Sequence, residues 1–246
     1  RPVLLDINAE HRFAAGLYLH RKRLSALITN MKSGITAKSS ASPSDFISGE
    51  DAAVWLCGEI KRLALENGIP FSKLIGVGIS SPGPLDRVRG LILNPPNFEL
   101  FRNIDIVSLV QRELSLPAVL ENNAVLLAMS EYFYGRMKKF KNSIFVIISD
   151  GIGACIMMDG QIYRGVGGFA GELGHTSIDR KGPVCSCGNR GCVELYATLA
   201  ALRKTFGFED YEDIVERAEK GETFALSVLD YEAECLAAAM IGAVNL

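Results

Sequence analysis

The sequence has no long apolar run and almost no excess of charge of either sign. None of its apolar stretches approaches the roughly 20 residues that a membrane-spanning helix needs. The formal net charge is −2, so the chain has no bulk electrostatic attraction to nucleic acid or to an anionic membrane. The first residues, RPVLLDINAEHRF, have too short an apolar core for a signal peptide and lack its layout. A cytoplasmic location is therefore the default expectation.

Histidine is scarce, and the cysteines are unevenly distributed. The chain has three histidines and six cysteines, and one histidine and three cysteines fall within HTSIDRKGPVCSCGNRGCVE, positions 175–194. In a reducing cytoplasm, clustered cysteines are more often metal ligands or catalytic groups than disulfides. The hydrophobic content of 48% and the charged content of 22% are ordinary for a globular protein. The length suffices for one large domain or two modest ones.

Strand-like and helix-like patterns alternate along the chain. We expect strands at 3–7, 13–19, 74–80, 117–120 and 142–149, the first two as a hairpin or meander, and a hairpin turn at Asp159-Gly160. We expect helices at 123–136, 193–205, 209–220 and 222–245, and along the apolar stripe Ala53, Leu56, Cys57, Ile60 and Leu63 after a cap at Ser48. The Ser-, Gly- and Pro-rich segment 33–50 is expected to be a surface connection. This order predicts two α/β halves, 1–122 and 123–246, with a cleft between them.

The chain ends inside a helical pattern, AAAMIGAVNL. That is an unusual end for a domain, so we expect a further C-terminal portion.

The residues His175, Cys185, Cys187 and Cys192 have the spacing H-x9-C-x-C-x4-C. Zinc prefers four tetrahedral nitrogen and sulfur ligands, and thiolates with an imidazole select zinc over magnesium or calcium. Glycines within CSCGNRGC allow the loop to turn sharply enough to direct three sulfurs to one point. Four protein ligands leave no open position for water, so a zinc ion here is expected to be structural rather than catalytic.

Two other states are open to the cysteines. Cys57, Cys155 and Cys235 lie in apolar helix or strand patterns and are expected to be buried free thiols. A disulfide between Cys185 and Cys187 is a weaker alternative to metal binding, because it would form only with strain.

Two glutamates, Glu172 and Glu194, lie just outside the predicted ligand set. A loop held by a metal can place carboxylates rigidly, and paired carboxylates suit a polyol because they accept hydrogen bonds from its hydroxyls. Taken one at a time, either residue is as well explained as an ordinary surface glutamate.

The segment GFAGELGHTSIDRKGPVCSCGNRGCVE matches the signature of the ROK family of sugar kinases, open reading frames and repressors. Three more segments resemble the family: GVGISSPGPLDRVRGLILNPPNF, VLENNAVLLAMSEYFYG and SIFVIISDGIGACIMMDGQIYRG. The resemblance covers most of residues 1–200. It implies the two-domain actin/hexokinase-like (ribonuclease H-like) α/β fold, with sugar and ATP in the interdomain cleft.

The resemblance also implies roles for individual residues. It assigns zinc to His175, Cys185, Cys187 and Cys192. It assigns sugar hydroxyls to Asn97, Asn122, Asn123, Glu172, His175 and Glu194. His175 is expected to serve both groups, with one ring nitrogen toward zinc and the other toward the sugar.

The sequence departs from the kinases of the family in three places, all concerned with phosphoryl transfer. Asn123 occupies the position of the catalytic aspartate, so no catalytic residue is assigned; an amide cannot take a proton as a carboxylate does. The stretch DINAEHRFAAG stands where the kinases carry a DIGGTK-like loop, and its Glu10 adds negative charge. Asp150 in SDGIG replaces a threonine that would donate to phosphate.

These departures favour the sugar-binding effector domain of a ROK-family transcriptional regulator that lacks kinase activity. We expect its helix-turn-helix module upstream of this chain, a sugar or sugar derivative as ligand, and a homodimer or homotetramer that binds DNA through that module. The alternative is an ATP-dependent hexose or N-acylhexosamine kinase with a divergent active site. A third hypothesis is a sugar sensor or pseudo-enzyme with no DNA module.

Overall fold

The computed structural model describes residues 5–245, which divide into two compact units between Leu126 and Leu127. The division falls inside the helix that begins at Asn123. The sequence predicted it at 122/123, at the start of that helix.

The described residues of the first unit form a mixed sheet of five strands, a small second sheet and three helices. The strands of this unit are β1 (Phe13–His20), β2 (Arg23–Asn30), β3 (Ile35–Ala41), β4 (Leu74–Ser81), β5 (Leu85–Asp86), β6 (Leu91–Ile92), β7 (Ile104–Asp105) and β8 (Ala118–Asn122). The helices are α1 (Gly49–Glu66), α2 (Ile106–Leu114) and α3 (Asn123–Phe133), which continues past the division. The large sheet has the order β3-β2-β1-β4-β8, and β5, β6 and β7 form a small second sheet. β1 pairs with β2 antiparallel, whereas β4 runs parallel to both β1 and β8.

Burial along β1 and α1 follows the two periodicities that the sequence shows. Alternate residues of β1 from Phe13 to Leu19 are buried, as expected when one face of a strand packs on a core. α1 covers the sheet and contacts β2 and α2. The predicted stripe from Ala53 to Leu63 is buried, and Ser48 Oγ accepts the N–H of Asp51 at 3.1 Å, so both predictions about this helix are confirmed.

The N-terminal prediction is wrong in two places. Of the strand expected at 3–7, residues 3 and 4 lie outside the described residues and residues 5–7 form no strand; β1 pairs with β2 and β4. The segment 33–50 was expected to be a surface connection, but it contains β3, a polar strand at the edge of the sheet. Its sequence ITAKSSA has little apolar alternation, and pairing with β2 outweighs its weak intrinsic preference. The sequence also gave no indication of α2.

The second unit contains a three-stranded antiparallel sheet and three helices. Its strands are β9 (Ser143–Ile148), β10 (Ile152–Met158) and β11 (Gln161–Tyr163), in the order β11-β10-β9. Its helices are α4 (Leu199–Phe206), α5 (Tyr211–Glu219) and α6 (Thr223–Val244). The predicted hairpin turn is present: Asp159 and Gly160 join β10 to β11 with φ of 51° and 76°. The helix expected from 193 begins at Leu199, after a short 3-10 turn at Val193–Leu195. Among the described residues, no helix is long and apolar enough to cross a membrane.

Two glycines of α1 should respond in opposite ways to alanine. A Cβ at Gly49 would collide with the backbone oxygen of Leu100 and the side chain of Ile104, whereas a Cβ at Gly58 meets no atom within 4 Å. We expect Gly49→Ala to lower the free energy of unfolding by about 1–3 kcal/mol. Gly58→Ala, the control in the same helix, should raise it by about 0.5–1 kcal/mol. The fluorescence of Trp55, the one tryptophan of the chain, can follow unfolding in urea. Equal stability of the two variants would contradict this packing.

Candidate metal centre and ligand-binding residues

The four predicted metal ligands converge in the second unit. His175 ends a short 3-10 turn, Leu173–His175, and Cys192 directly precedes the turn Val193–Leu195. Between them the chain folds back on itself through two isolated bridges, Ser177 with Cys192 and Val184 with Arg190. One donor atom from each of His175, Cys185, Cys187 and Cys192 lies within 4.8 Å of every other. These four residues can therefore hold a metal ion.

The spacing of the donor atoms suits a four-coordinate ion. Cys185 Sγ lies 3.7 Å from His175 Nδ1, and Cys187 Sγ lies 3.7 Å from Cys192 Sγ. A tetrahedral zinc with metal–sulfur bonds of about 2.3 Å would separate its sulfurs by about 3.8 Å. Two opposite edges of the cluster thus have nearly the length that a tetrahedral site requires.

Two glycines of the cluster loop adopt backbone conformations that other residues rarely reach. Gly188 has φ 90° and closes a turn in which its N–H donates to Cys185 O at 2.9 Å. Gly191 has φ 64°, and a Cβ there would collide with the backbone of Asp179. The predicted need for glycine in CSCGNRGC therefore has a direct structural cause.

The remaining three cysteines are buried outside the cluster, and none of the six forms a disulfide. Cys57, Cys155 and Cys235 are the buried ones that the sequence assigned to apolar patterns. Burial raises the pKa of the Cys57 thiol to about 11, which keeps it protonated and unreactive at neutral pH. The alternative of a Cys185–Cys187 disulfide is not what the structure contains.

The predicted carboxylates lie on either side of His175. Glu172 Oε2 is 3.9 Å from His175 Nε2, and Glu194 Oε1 is 3.5 Å from Nδ1. Cys185 Sγ also contacts Glu194 Oε1 at 3.1 Å. Desolvation raises the pKa of the Glu172 carboxyl, His175 opposes that rise, and Glu194 adds to it. The imidazole thus has Nδ1 beside Cys185 and Glu194 and Nε2 beside Glu172.

Two predicted ligand-binding amides, Asn122 and Asn123, follow each other at the end of β8. Asn122 Oδ1 accepts the N–H of Ala124 at 2.8 Å, which caps the start of α3, and the Asn122 N–H donates to Glu121 Oε1 at 2.9 Å. Ser80 Oγ, on the neighbouring strand β4, donates to Asn123 Oδ1 at 2.6 Å. The oxygen of each amide is therefore already bonded within the protein.

Asn97 lies on a separate exposed loop and has a left-handed backbone, with φ 54°. The guanidinium of Arg21, in the turn between β1 and β2, donates from Nε to Pro96 O at 3.0 Å and so anchors the loop beside Asn97. The six sequence-predicted ligand residues thus fall into a group of three around His175, an adjacent pair at the end of β8, and Asn97.

Three residues near these groups were missed by the sequence analysis: Ser80, Arg87 and Arg21. Arg87 Nε lies 2.9 Å from Oε2 of the buried Glu121, whose other oxygen accepts from Asn122. Each of these contacts joins residues that are far apart along the chain, so no local pattern of spacing could reveal it.

The structure corrects one of the three comparisons with kinases. The first strand of the described chain is β1, so the loop after it is Arg21–Lys22, and DINAEHRFAAG precedes or enters that strand. The expectation that this stretch stands at the phosphate loop is wrong. Asp150 does lie in the turn between β9 and β10, where Ser149 N–H donates to Gly151 O at 2.9 Å.

Removal of one cluster sulfur should abolish tight metal binding. Loss of outer-shell partners typically costs about 10- to 100-fold in metal affinity, and Cys192→Ser, which removes a ligand, should cost more. Ser186→Ala changes the same loop without removing a donor of the cluster and should bind metal as the parent does. Competition with a chromogenic chelator measures both affinities. Equal metal affinity in Cys192→Ser and the parent would refute the cluster as the site.

Comparisons with known proteins place these features in a family. The profile of the ROK family matches residues 26–246. The chain is 34% identical over 236 residues to the xylose repressor of Bacillus spizizenii, and the alignment covers 93% of this chain and 60% of that protein. The chain therefore spans about three fifths of the length of this relative.

Solved structures with the same fold include a hexokinase and a regulator. The ROK hexokinase from Thermus thermophilus superposes with a TM-score of 0.77 at 27% identity, over 95% of this chain and 78% of that one. A ROK family transcriptional regulator, a homologue of the E. coli MLC protein, gives a TM-score of 0.82 at 24% identity, over 95% and 62%. With the family profile matched over most of its length, the chain belongs to the ROK family and has its actin/hexokinase-like α/β fold.

Proposed function

We propose that this chain is the sugar-binding effector part of a ROK-family transcriptional regulator and that it has no sugar kinase activity. The observation that carries the proposal is the amide of Asn123 at the end of β8, bonded to Ser80, where a kinase of the family needs a carboxylate. The similarity to a xylose repressor supports the same conclusion.

An amide at this position keeps hydrogen bonding and loses basicity. A sugar hydroxyl that attacks phosphate must give up its proton, and Asn123 cannot accept it. Loss of a general base typically costs about 10²- to 10⁴-fold in rate. The same side chain can still bind a hydroxyl, which is all that a sensor requires.

The turn after β1 and the turn between β9 and β10 lack features with which a kinase loop binds phosphate. The turn after β1, Arg21–Lys22, is flanked by His20 and Arg23 and contains no glycine, so it lacks the residue that lets backbone N–H groups approach a phosphate closely. Its cations would attract an anion but would not form that cradle. In the turn between β9 and β10, Asp150 adds a negative charge.

We assign zinc to the cluster, because three thiolates and an imidazole favour zinc over harder ions. His175, Cys185, Cys187 and Cys192 would fill all four positions, so the ion would cross-link the loop rather than activate water. In this role it would hold His175 between Glu172 and Glu194.

Sugar hydroxyls would bind to the side chains that the family resemblance assigns. Glu172 and Glu194 would accept hydrogen bonds, and His175 Nε2 faces the Glu172 side. The amides Asn97, Asn122 and Asn123 would complete the set. A sugar then acts as an effector to the extent that it binds one arrangement of the protein more tightly than another.

DNA binding belongs, in this proposal, to a module outside the present residues, carried by a homodimer or homotetramer. A two-fold assembly presents two such modules to a palindromic site. The full gene product should bind a fragment of its own promoter region, and the sugar should change that affinity in a mobility-shift titration.

An active ATP-dependent hexose or N-acylhexosamine kinase is the second candidate, and the similarity to a ROK hexokinase favours it. The two candidates differ in turnover, since both bind sugar. A coupled assay of ADP release therefore separates them.

The protein should bind a pentose or hexose through Glu172. A hydrogen bond to a charged group contributes about 1.5–3 kcal/mol, so Glu172→Gln should weaken binding of D-xylose or D-glucose by about 10- to 100-fold. Glu219→Gln, at an exposed glutamate on α5, should bind as the parent does. Isothermal titration calorimetry measures each affinity. Unchanged affinity in Glu172→Gln would remove this carboxylate from the site.

Neither the protein nor Asn123→Asp should phosphorylate sugars at a robust rate. The aspartate would restore a base at the end of β8, but Asp150 and the turn at Arg21–Lys22 would still give the phosphates no glycine-lined loop. ADP release over a panel of sugars tests both proteins. Robust turnover by the parent would establish the kinase, and robust turnover by the variant alone would show that one residue suppresses activity.

A further inference from the structure

The orientation of the Asn123 amide is set by a residue of another strand. Ser80, near the end of β4, pairs in register with Glu121 of β8, which brings its side chain to the start of α3. There Ser80 Oγ donates to Asn123 Oδ1 at 2.6 Å. Both residues are partly buried, so water competes less for this bond than it would at an open surface.

This bond leaves the nitrogen of the amide as the group available to a ligand. An asparagine side chain has an acceptor oxygen and a donor NH2 on opposite branches. With Oδ1 bonded to Ser80, Nδ2 lies on the other branch of the amide, and it donates no hydrogen bond to the described residues of the first unit. The oxygen of Asn122 is likewise bonded within the protein, because its Oδ1 accepts the N–H of Ala124 at the start of α3.

The consequence is a reversal of hydrogen-bond direction relative to a carboxylate. An aspartate at 123 would accept the proton of a ligand hydroxyl, whereas the fixed amide donates to an oxygen lone pair. We propose that Ser80 is a positioning residue that holds Asn123 so that Nδ2 donates to one ligand hydroxyl, which this site therefore recognises as an acceptor. This inference rests on the proposed sugar-binding function.

The opposite arrangement is chemically distinct. If Ser80 accepted from Nδ2, Oδ1 would face the ligand and the site would select a hydroxyl as a donor. Replacement of a sugar hydroxyl by fluorine keeps a weak acceptor and removes the donor, and replacement by hydrogen removes both. The affinity ratio of the fluoro to the deoxy sugar therefore reports the direction of the bond.

The experiment measures the affinity of the full protein for D-xylose, D-glucose and their monodeoxy and monodeoxyfluoro derivatives by calorimetry. At one hydroxyl position we expect the fluoro sugar to bind about 2- to 10-fold more tightly than the deoxy sugar, the range for a neutral hydrogen bond. Ser80→Ala should bring this ratio close to one, because the amide is released. Ser80→Thr keeps a hydroxyl and should restore the ratio.

A cycle of variants distinguishes positioning from a general effect on structure. In an Asn123→Ala background, Ser80→Ala should leave the ratio unchanged, because Ser80 acts only through the amide. Each ratio is internal to one variant, so a uniform loss of stability does not alter it. If Ser80→Ala fails to fold, Asn123→Asp tests whether position 123 donates to the ligand. A carboxylate there repels fluorine, so the affinity of the fluoro sugar relative to the deoxy sugar should fall to one or below.

The outcomes separate this inference from the function on which it rests. If a sugar binds but no position prefers fluorine, or if Ser80→Ala keeps the preference, the positioning role is overturned and the sugar-binding function stands. If no sugar or derivative binds the parent protein, the proposed function fails and the inference fails with it.

Discussion

The convergence of four donor atoms from His175, Cys185, Cys187 and Cys192 is the constraint on which the proposed ligand-binding part of the second unit depends. Between β11 and α4, residues 164–198 form only short 3-10 turns and isolated bridges. Such a segment has few regular backbone hydrogen bonds to hold it in one shape. The cluster brings distant parts of this segment together at one point, and the carboxylates of Glu172 and Glu194 flank its member His175.

Parallel strand pairing provides the corresponding constraint in the first unit. β4 and β8 run side by side in the same direction, so their carboxyl ends meet at one edge of the sheet. Ser80 lies on β4, and Asn123 is the residue that follows β8. Their side chains form a hydrogen bond at this edge although the two residues are 43 positions apart in the sequence. Backbone register thus selects which two side chains bond, and that bond selects which atom of the amide remains for a ligand.

Local features of the sequence were sufficient to predict the convergence of His175 with three cysteines, the burial of α1, its cap at Ser48 and the turn at Asp159-Gly160. Each depends on spacing within a short segment. The polar strand β3 was missed because its pairing with β2, and not its own composition, makes it a strand. A first strand was also expected at 3–7, before β1. The wrong stretch, DINAEHRFAAG, was therefore compared with the phosphate loop of the kinases. Contacts such as Ser80–Asn123, separated by 43 positions, carry no local signal.

One part of the proposed difference between a sugar sensor and a sugar kinase is what the side chain at position 123 can do with a proton. A carboxylate and an amide have nearly the same shape, so Asn123 can occupy the end of β8 without disturbing the strand or the helix that follows. The amide has no basicity to offer an attacking hydroxyl, but it has two N–H donors that a carboxylate lacks. In the proposed function, an amide at this position supplies no general base and, because Ser80 engages its oxygen, presents a donor in its place. A single substitution can therefore abolish a catalytic step and, through the same atom positions, redefine which ligand atom is recognised.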